Sequence, residues 1–152
     1  LTTYDYHLYR FDVFNEEFTA IPSDLQDFPV SGIKVDNVHC DRNGNTWIGI
    51  AGVGLMKVTP DLTYTHFFNL GGSVVGKYID AIYEDSEGVV YIASEVGISA
   101  VNGDEVSMLS RNDGIVSFTE IDGTLFFACR DQLLAVDSQR TEEDRSGISR
   151  CR

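Results

Sequence analysis

The sequence predicts an all-β fold made of β-propeller blades, each a four-stranded antiparallel sheet. A pattern recurs about every 44 residues, as in Asp41 and Asp85 or Trp47 and Tyr91. Within each copy, short alternating apolar runs are separated by Gly and Asp, and no segment has a convincing helical apolar period. A repeat of about 40–45 residues made only of short strands is typical of propeller blades.

The repeat predicts the strands of about three blades in order. The first full copy predicts strands at 35–40, 46–50, 55–58 and 64–68. The second copy predicts strands at 81–85, 89–94, 98–101 and 105–109, with turn sequences at 85–88 and 102–104. A weaker third copy predicts strands at 115–121, 124–129 and 133–136.

These strands divide the chain into segments. We expect residues 1–20 to end a preceding blade, because residues 7–12 align with residues 54–59. Residues 21–69 and 70–110 are each expected to form a blade, 111–137 a partial blade, and 138–152 a polar tail or linker. Propellers close with about four to eight blades, so we expect the chain to be part of a larger propeller.

Charge and composition exclude several classes of function. The 24 acidic residues against 11 basic ones give a formal net charge of −13, which disfavours binding to nucleic acid or to an anionic membrane surface. No apolar run is long enough to span a bilayer. The three Cys and three His residues lack metal-binding spacing, and no catalytic motif is present. The sequence therefore predicts no cofactor, no metal site and no catalytic residue.

Two copies of the repeat resemble a known family. The segments DRNGNTWIGI…GVGLMKV at 41–58 and EDSEGVVYIAS…VGISAV at 84–101 resemble the two-component regulator propeller repeat. The third copy departs from that pattern with Gln132 in place of the second Gly, and the N-terminal half copy has His7 there. The resemblance covers about residues 4–137, and its motifs specify the repeat type more closely than they specify a ligand.

The resemblance implies a sensor region on the periplasmic or extracellular side of the bacterial inner membrane. In that family such repeats precede a transmembrane helix and a cytoplasmic histidine kinase, so membrane attachment would come only through segments outside this chain. The resemblance also implies an oligosaccharide or another small ligand as partner, and a homodimer of the full-length receptor. Because a fold does not determine a function, these are expectations from the resemblance alone.

Two candidate sites each have a simpler structural interpretation. The acidic turn DRNGN at 41–45 has the oxygen spacing of a small calcium loop, but the same place in the other copies is an ordinary hairpin turn. Trp47 could stack on a sugar, yet Tyr91 and Phe126 occupy the same repeat position. We expect both features to belong to the scaffold.

Ligand binding is expected where the copies differ, because matched positions build the scaffold and loops carry specificity. The connection at 70–78 is Gly-rich and ends with a cation and an aromatic residue. The candidate ligand-binding residues lie on connections expected to open onto one propeller face: Lys34, Lys77, Tyr78 and Glu95.

Three functions remain open from the sequence. The first is an extracytoplasmic, non-enzymatic propeller that senses an oligosaccharide as part of a two-component receptor. The second is a protein-interaction scaffold of the cell envelope, which an exposed apolar patch would favour. The third is a propeller lyase or glycoside hydrolase, which would need convergent carboxylates or His residues from several blades.

Overall fold

The computed structural model describes residues 9–20, 34–67, 75–103, 105–111, 114–129, 133–137 and 149–150. All of the regular secondary structure within those ranges is β-strand. The strands form one two-stranded sheet and three four-stranded sheets in which neighbours along the chain are neighbours in space. The predicted all-β fold of four-stranded blades is confirmed.

The strands follow the repeat. The two-stranded sheet contains β1 (Tyr9–Asp12) and β2 (Glu17–Ala20). The first blade contains β3 (Val35–Cys40), β4 (Thr46–Ile50), β5 (Gly54–Val58) and β6 (Tyr64–Phe67). The second contains β7 (Ile79–Glu84), β8 (Val90–Ser94), β9 (Gly97–Asn102) and β10 (Glu105–Ser110). The third contains β11 (Ile115–Ile121), β12 (Thr124–Cys129), β13 (Leu133–Asp137) and β14 (Ser149–Arg150).

The short strand β14 lies in the segment that we expected to be a polar tail. It pairs antiparallel with β13, with Ser149 opposite Ala135. Strand pairing uses backbone groups that every residue type carries, so the polar composition of the segment does not predict it. The rest of the tail, including Cys151, lies outside the described residues, and the proposed division of the chain into blades and tail stays a prediction.

The chain divides into two compact units, Leu1–Val35 and Asp36–Arg152. In the first unit, β1 and β2 form a hairpin in which Phe11 pairs with Phe18. The two rings lie on one face with their centroids 4.6 Å apart. Asp12 orders the tip of the hairpin, because its carboxylate accepts hydrogen bonds from the backbone N–H groups of Phe14 and Asn15.

In the second unit, apolar side chains from neighbouring blades form two core clusters. One cluster joins the first and second blades and includes Trp47, Leu55, Ile79 and Ile92. The other joins the second and third blades and includes Tyr91, Ala93, Ile98, Ile115, Phe118 and Phe127. All five residues of β8 are buried, and the first four alternate between the clusters: Val90 and Ile92 belong to the first, Tyr91 and Ala93 to the second.

Candidate functional site

The two ends of each blade have different chemistry. We call the end with the turns between β3 and β4, β7 and β8, and β11 and β12 the acidic-turn end. Because successive strands of a meander run in opposite directions, the turn between β8 and β9 and the residues leading into β7 lie at the other end, which we call the loop end.

At the acidic-turn end of the first blade, the Asp41 carboxylate is fully engaged by protein donors. One oxygen accepts the backbone N–H groups of Asn43 and Asn45 at 3.0 and 2.8 Å. The other accepts the Asn45 side-chain amide at 2.7 Å and the Trp47 indole N–H at 2.9 Å. Burial alone raises the pKa of Asp41, but these hydrogen bonds outweigh burial and hold the pKa below its ordinary value.

The second blade repeats this arrangement. Asp85 accepts the backbone N–H groups of Glu87 and Val89 with one oxygen, and the Tyr91 hydroxyl donates to the other at 3.0 Å. Trp47 is only 2% exposed and Tyr91 is 7% exposed. These observations support the structural interpretation of both features, because the turn carboxylates serve backbone donors and Trp47 is a core residue.

Carboxylates also connect neighbouring blades at this end. Glu84, at the end of β7, accepts the Arg42 backbone N–H at 2.9 Å and the Arg42 Nε–H at 2.8 Å. Glu120 in β11 accepts the Ser86 backbone N–H at 2.7 Å and also the Ser86 hydroxyl. In both cases the donor directly follows the buried turn Asp of the preceding blade. The carboxylates at the turns of the first two blades therefore hold the scaffold together.

The loop end of the second blade brings together three of the four predicted site residues. Glu95, in the turn between β8 and β9, reaches the chain segment that leads into β7. Its Oε1 accepts the backbone N–H of Lys77 at 2.7 Å, and its Oε2 accepts the backbone N–H of Tyr78 at 2.9 Å. The carboxylate thus binds the N–H groups of two successive peptide units, and successive backbone N–H groups are a common binding site for anions in proteins.

Gly76 makes this approach possible. A Cβ atom at this position would lie 2.1 Å from Oε2 of Glu95, so any side chain here would displace the carboxylate. The Gly76 N–H donates to the buried Ser94 hydroxyl at 3.1 Å, and Ser94 donates in turn to the Gly97 carbonyl at 3.4 Å. Val75, 3% exposed, anchors the start of the segment in the core.

The side chains carried by this segment face solvent. Tyr78 is 54% exposed, and Lys77 and Glu95 are also exposed. Lys34, the fourth predicted site residue, belongs to the other unit, where it is exposed directly before β3. Residues 70–74 of the Gly-rich connection lie outside the described residues.

Gly76 and Ser94 also belong to this site, although neither is among the candidate residues that the sequence predicts. The one available signal was the position of Gly76 directly before the Lys-Tyr pair in a connection that already contained several glycines. Among the described residues no group of three or more His, Cys, Asp or Glu side chains could hold a metal ion. None of the described segments forms a helix long and apolar enough to cross a membrane.

Comparison with solved structures identifies proteins of similar fold. The extracellular domain of BT3049, a proposed hybrid two-component system of B. thetaiotaomicron, matches 99% of this chain with a TM-score of 0.72 and 20% identity. The extracellular domain of BT4673 from the same organism matches 78% of the chain with a TM-score of 0.57 and 18% identity. A streptogramin B lyase matches 97% with a TM-score of 0.67 and 19% identity.

The chain spans 19% of the length of the BT3049 domain, 16% of that of BT4673 and 48% of that of the lyase. At these identities the likeness establishes the fold, and sensor domains and a lyase share it. No protein-family model matches the chain, and no curated protein matches it by sequence.

Proposed function

We propose that the chain is part of the extracytoplasmic sensor propeller of a two-component signalling receptor, and that it binds an oligosaccharide at the loop end of the second blade. The observation that carries this proposal is the exposed Tyr78 ring on a backbone fixed by Glu95. Aromatic faces pack well against the apolar face of a sugar ring, and an adjacent ammonium group donates hydrogen bonds to hydroxyl or carboxylate oxygens.

The fold supports the sensor part of the proposal, since extracellular domains of two proposed hybrid two-component systems share it. The location would be the periplasmic or extracellular side of the bacterial inner membrane, and the whole receptor would act as a homodimer. A ligand drives signalling only if it binds one arrangement of that dimer more tightly than the other.

We place no catalytic step in this chain. The chemistry described at the loop end is that of binding: a carboxylate engaged by backbone N–H groups, an exposed ring and an exposed ammonium group. A lyase has the same fold, so turnover should be measured on the same sugars used for binding. Product formation by the purified chain would replace the sensor proposal with an enzymatic one.

A thermal-shift screen against neutral and acidic oligosaccharides tests the proposal. A ligand at 100 times its Kd stabilises the folded state by about 2.7 kcal/mol, so a specific sugar should raise Tm in a dose-dependent way. The shift should disappear in Tyr78→Ala and persist in Phe14→Ala, which removes a 94% exposed ring from a different part of the chain. An equal shift in both variants would contradict the proposed site.

A second function is favoured by the hairpin of β1 and β2. Phe11 and Phe18 are 44% and 59% exposed, and they pair on one face of this sheet. Exposed aromatic patches of this kind mark protein-interaction surfaces. Binding of a protein partner that is lost in Phe18→Thr, with no response to any sugar, would favour an interaction scaffold.

A further inference from the structure

We infer that Glu95 is a positioning residue: its carboxylate occupies an anion site made of the Lys77 and Tyr78 backbone N–H groups and thereby orders the surface that meets the ligand. This inference rests on the proposed function for the identity of that surface. It assigns Glu95 a role different from direct ligand contact, because both of its carboxylate oxygens already accept hydrogen bonds from the chain.

The contacts join two segments that are distant in sequence. Glu95 follows Tyr78 by 17 residues and Lys77 by 18. Its turn is short and is fixed on both sides by paired strands, with Ser94 opposite Gly97 in the sheet. In the described residues 75–78, strand pairing begins only with Ile79 of β7, so the carboxylate supplies the order that a neighbouring strand would otherwise provide.

The segment is built to accept a carboxylate at this point. Gly76 leaves the space that the Oε2 atom fills, and the Gly76 N–H is satisfied separately by Ser94. A hydrogen bond with an ionised acceptor is stronger than one between neutral groups, so a carboxylate fits two N–H donors better than an amide does. The ammonium group of Lys77 adds a positive charge on the same residue.

The consequence for binding is preorganisation. Lys77 and Tyr78 are both exposed, so neither side chain is held by burial. A ligand that had to order the segment on binding would lose affinity for that reason. With Glu95 in place, the backbone that carries the ring and the ammonium group is already fixed before the ligand arrives.

Chemical rescue by formate tests the anion site without any sugar. In Glu95→Ala we expect the Lys77 and Tyr78 amides to exchange with solvent deuterium roughly fivefold to tenfold faster than in the unchanged chain. Formate has the charge and the two oxygens of the missing group, so we expect it to restore slow exchange at those two amides with saturating dose dependence. Glu95→Gln, which can accept only one of the two hydrogen bonds, should be intermediate.

Glu87→Ala is the matched control, since it removes an exposed glutamate from the turn between β7 and β8 in the same blade. It should leave the exchange of Lys77 and Tyr78 unchanged with or without formate. Unchanged exchange in Glu95→Ala, or faster exchange that formate does not slow, would overturn the inference.

The role in binding has its own readout. For the sugar that gives the largest shift in the oligosaccharide panel, Glu95→Ala should bind more weakly, and formate should restore part of the affinity. Equal affinity in Glu95→Ala and the unchanged chain would overturn the positioning role. If the exchange results are as expected and no sugar binds, the anion site stands and the proposed function fails.

Discussion

Gly49 in β4 lies directly against Ile79 in β7, so closely that a Cβ on Gly49 would be 2.7 Å from the Ile79 Cβ. This contact joins the first blade to the first residue of the second. It gives a physical reason for the small residue in the repeat, because the second blade has Ala93 at the matching position and the third has Ala128. A small residue there lets an isoleucine from the next blade come close to the strand.

We therefore predict that Gly49→Ala destabilises the chain although it adds only one methyl group. Overpacking a well-filled core typically costs about 1–3 kcal/mol, because backbone or side chains must shift. The measurement is the free energy of unfolding by urea denaturation. Gly52→Ala is unsuitable as a control because Gly52 has a positive φ of 76°, so Ser107→Ala, at an exposed position in β10, serves instead.

A double-mutant cycle makes this prediction specific. Ile79→Ala alone should cost about 2–5 kcal/mol, because it removes most of a buried side chain. It also removes the Cγ2 and Cγ1 atoms that would lie 3.1 and 3.2 Å from a Cβ on Gly49, so the cost of Gly49→Ala should be smaller in the Ile79→Ala background. Additive costs would show that the added methyl group meets some other neighbour.

The turn carboxylate of Asp41 predicts a dependence of stability on pH. Its folded-state pKa is lowered, so the unfolded state binds more protons as the pH falls through the acid range. The stabilisation is fully present above the unfolded pKa of about 3.9 and is lost as the pH falls through the lower folded value. Unfolding free energies measured across the acid range should fall less steeply in Asp41→Asn than in the unchanged chain.

Glu87→Gln is the control for this pH dependence, since it removes one carboxylate from an exposed turn position. Its curve should run parallel to that of the unchanged chain. Parallel curves for Asp41→Asn as well would mean that the hydrogen bonds to Asp41 do not contribute to acid unfolding.

Sequence reasoning predicted the strands well and the contacts between them poorly. The bounds of β3, β4, β11 and β12 match the prediction, because short apolar runs that end at Gly, Asn or Asp turns mark strands in the sequence. Glu84 accepts a hydrogen bond from the Arg42 backbone N–H, and Glu120 accepts one from the Ser86 backbone N–H in the same way. The two glutamates lie 36 residues apart instead of about 44, so aligning the copies of the repeat does not match them.

The site residues were predicted from differences between the copies, whereas the strands were predicted from their similarity. Lys77, Tyr78 and Glu95 lie where the copies differ, and such positions have no second copy from which a contact can be inferred. The hydrogen bonds of Glu95 go to backbone N–H groups, which every residue except proline carries. No pattern of side-chain types could therefore reveal that Glu95 binds its own chain.

The ion pair between Arg42 and Glu84 predicts that removal of the arginine side chain destabilises the chain, because the Glu84 carboxylate is nearly buried. The Glu84 side chain is 8% exposed, whereas that of Arg42 is 48% exposed. Arg42→Ala would leave a nearly buried carboxylate with fewer donors, at a cost of about 1–3 kcal/mol. Arg111→Ala removes an exposed arginine at the loop end, and it should change the unfolding free energy by less than about 0.5 kcal/mol.

A comparable cost for the two arginine substitutions would contradict this assignment. It would mean that the ion pair behaves as an ordinary surface pair, whose contribution is typically about 0–1 kcal/mol.

The hairpin of β1 and β2 predicts self-association of the chain. Phe11 and Phe18 expose 44% and 59% of their surface on one face, and a two-stranded sheet with an apolar face is at best marginally stable alone in water. We expect light scattering after size-exclusion chromatography to give a mass above that of one chain, and the mass to rise with concentration.

Substitution of Phe11 and Phe18 distinguishes two causes of self-association: contact between the exposed aromatic faces and pairing of exposed strand edges. The double variant Phe11→Thr and Phe18→Thr keeps residues that favour strands and removes the aromatic face, so its mass should fall toward 16.9 kDa. Thr19→Ser, an exposed position adjacent in sequence to Phe18 and thus on the opposite face of β2, should associate like the unchanged chain. If the double variant associates as strongly as the unchanged chain, unpaired strand edges cause the association, because the substitutions leave the backbone N–H and C=O groups of those edges intact.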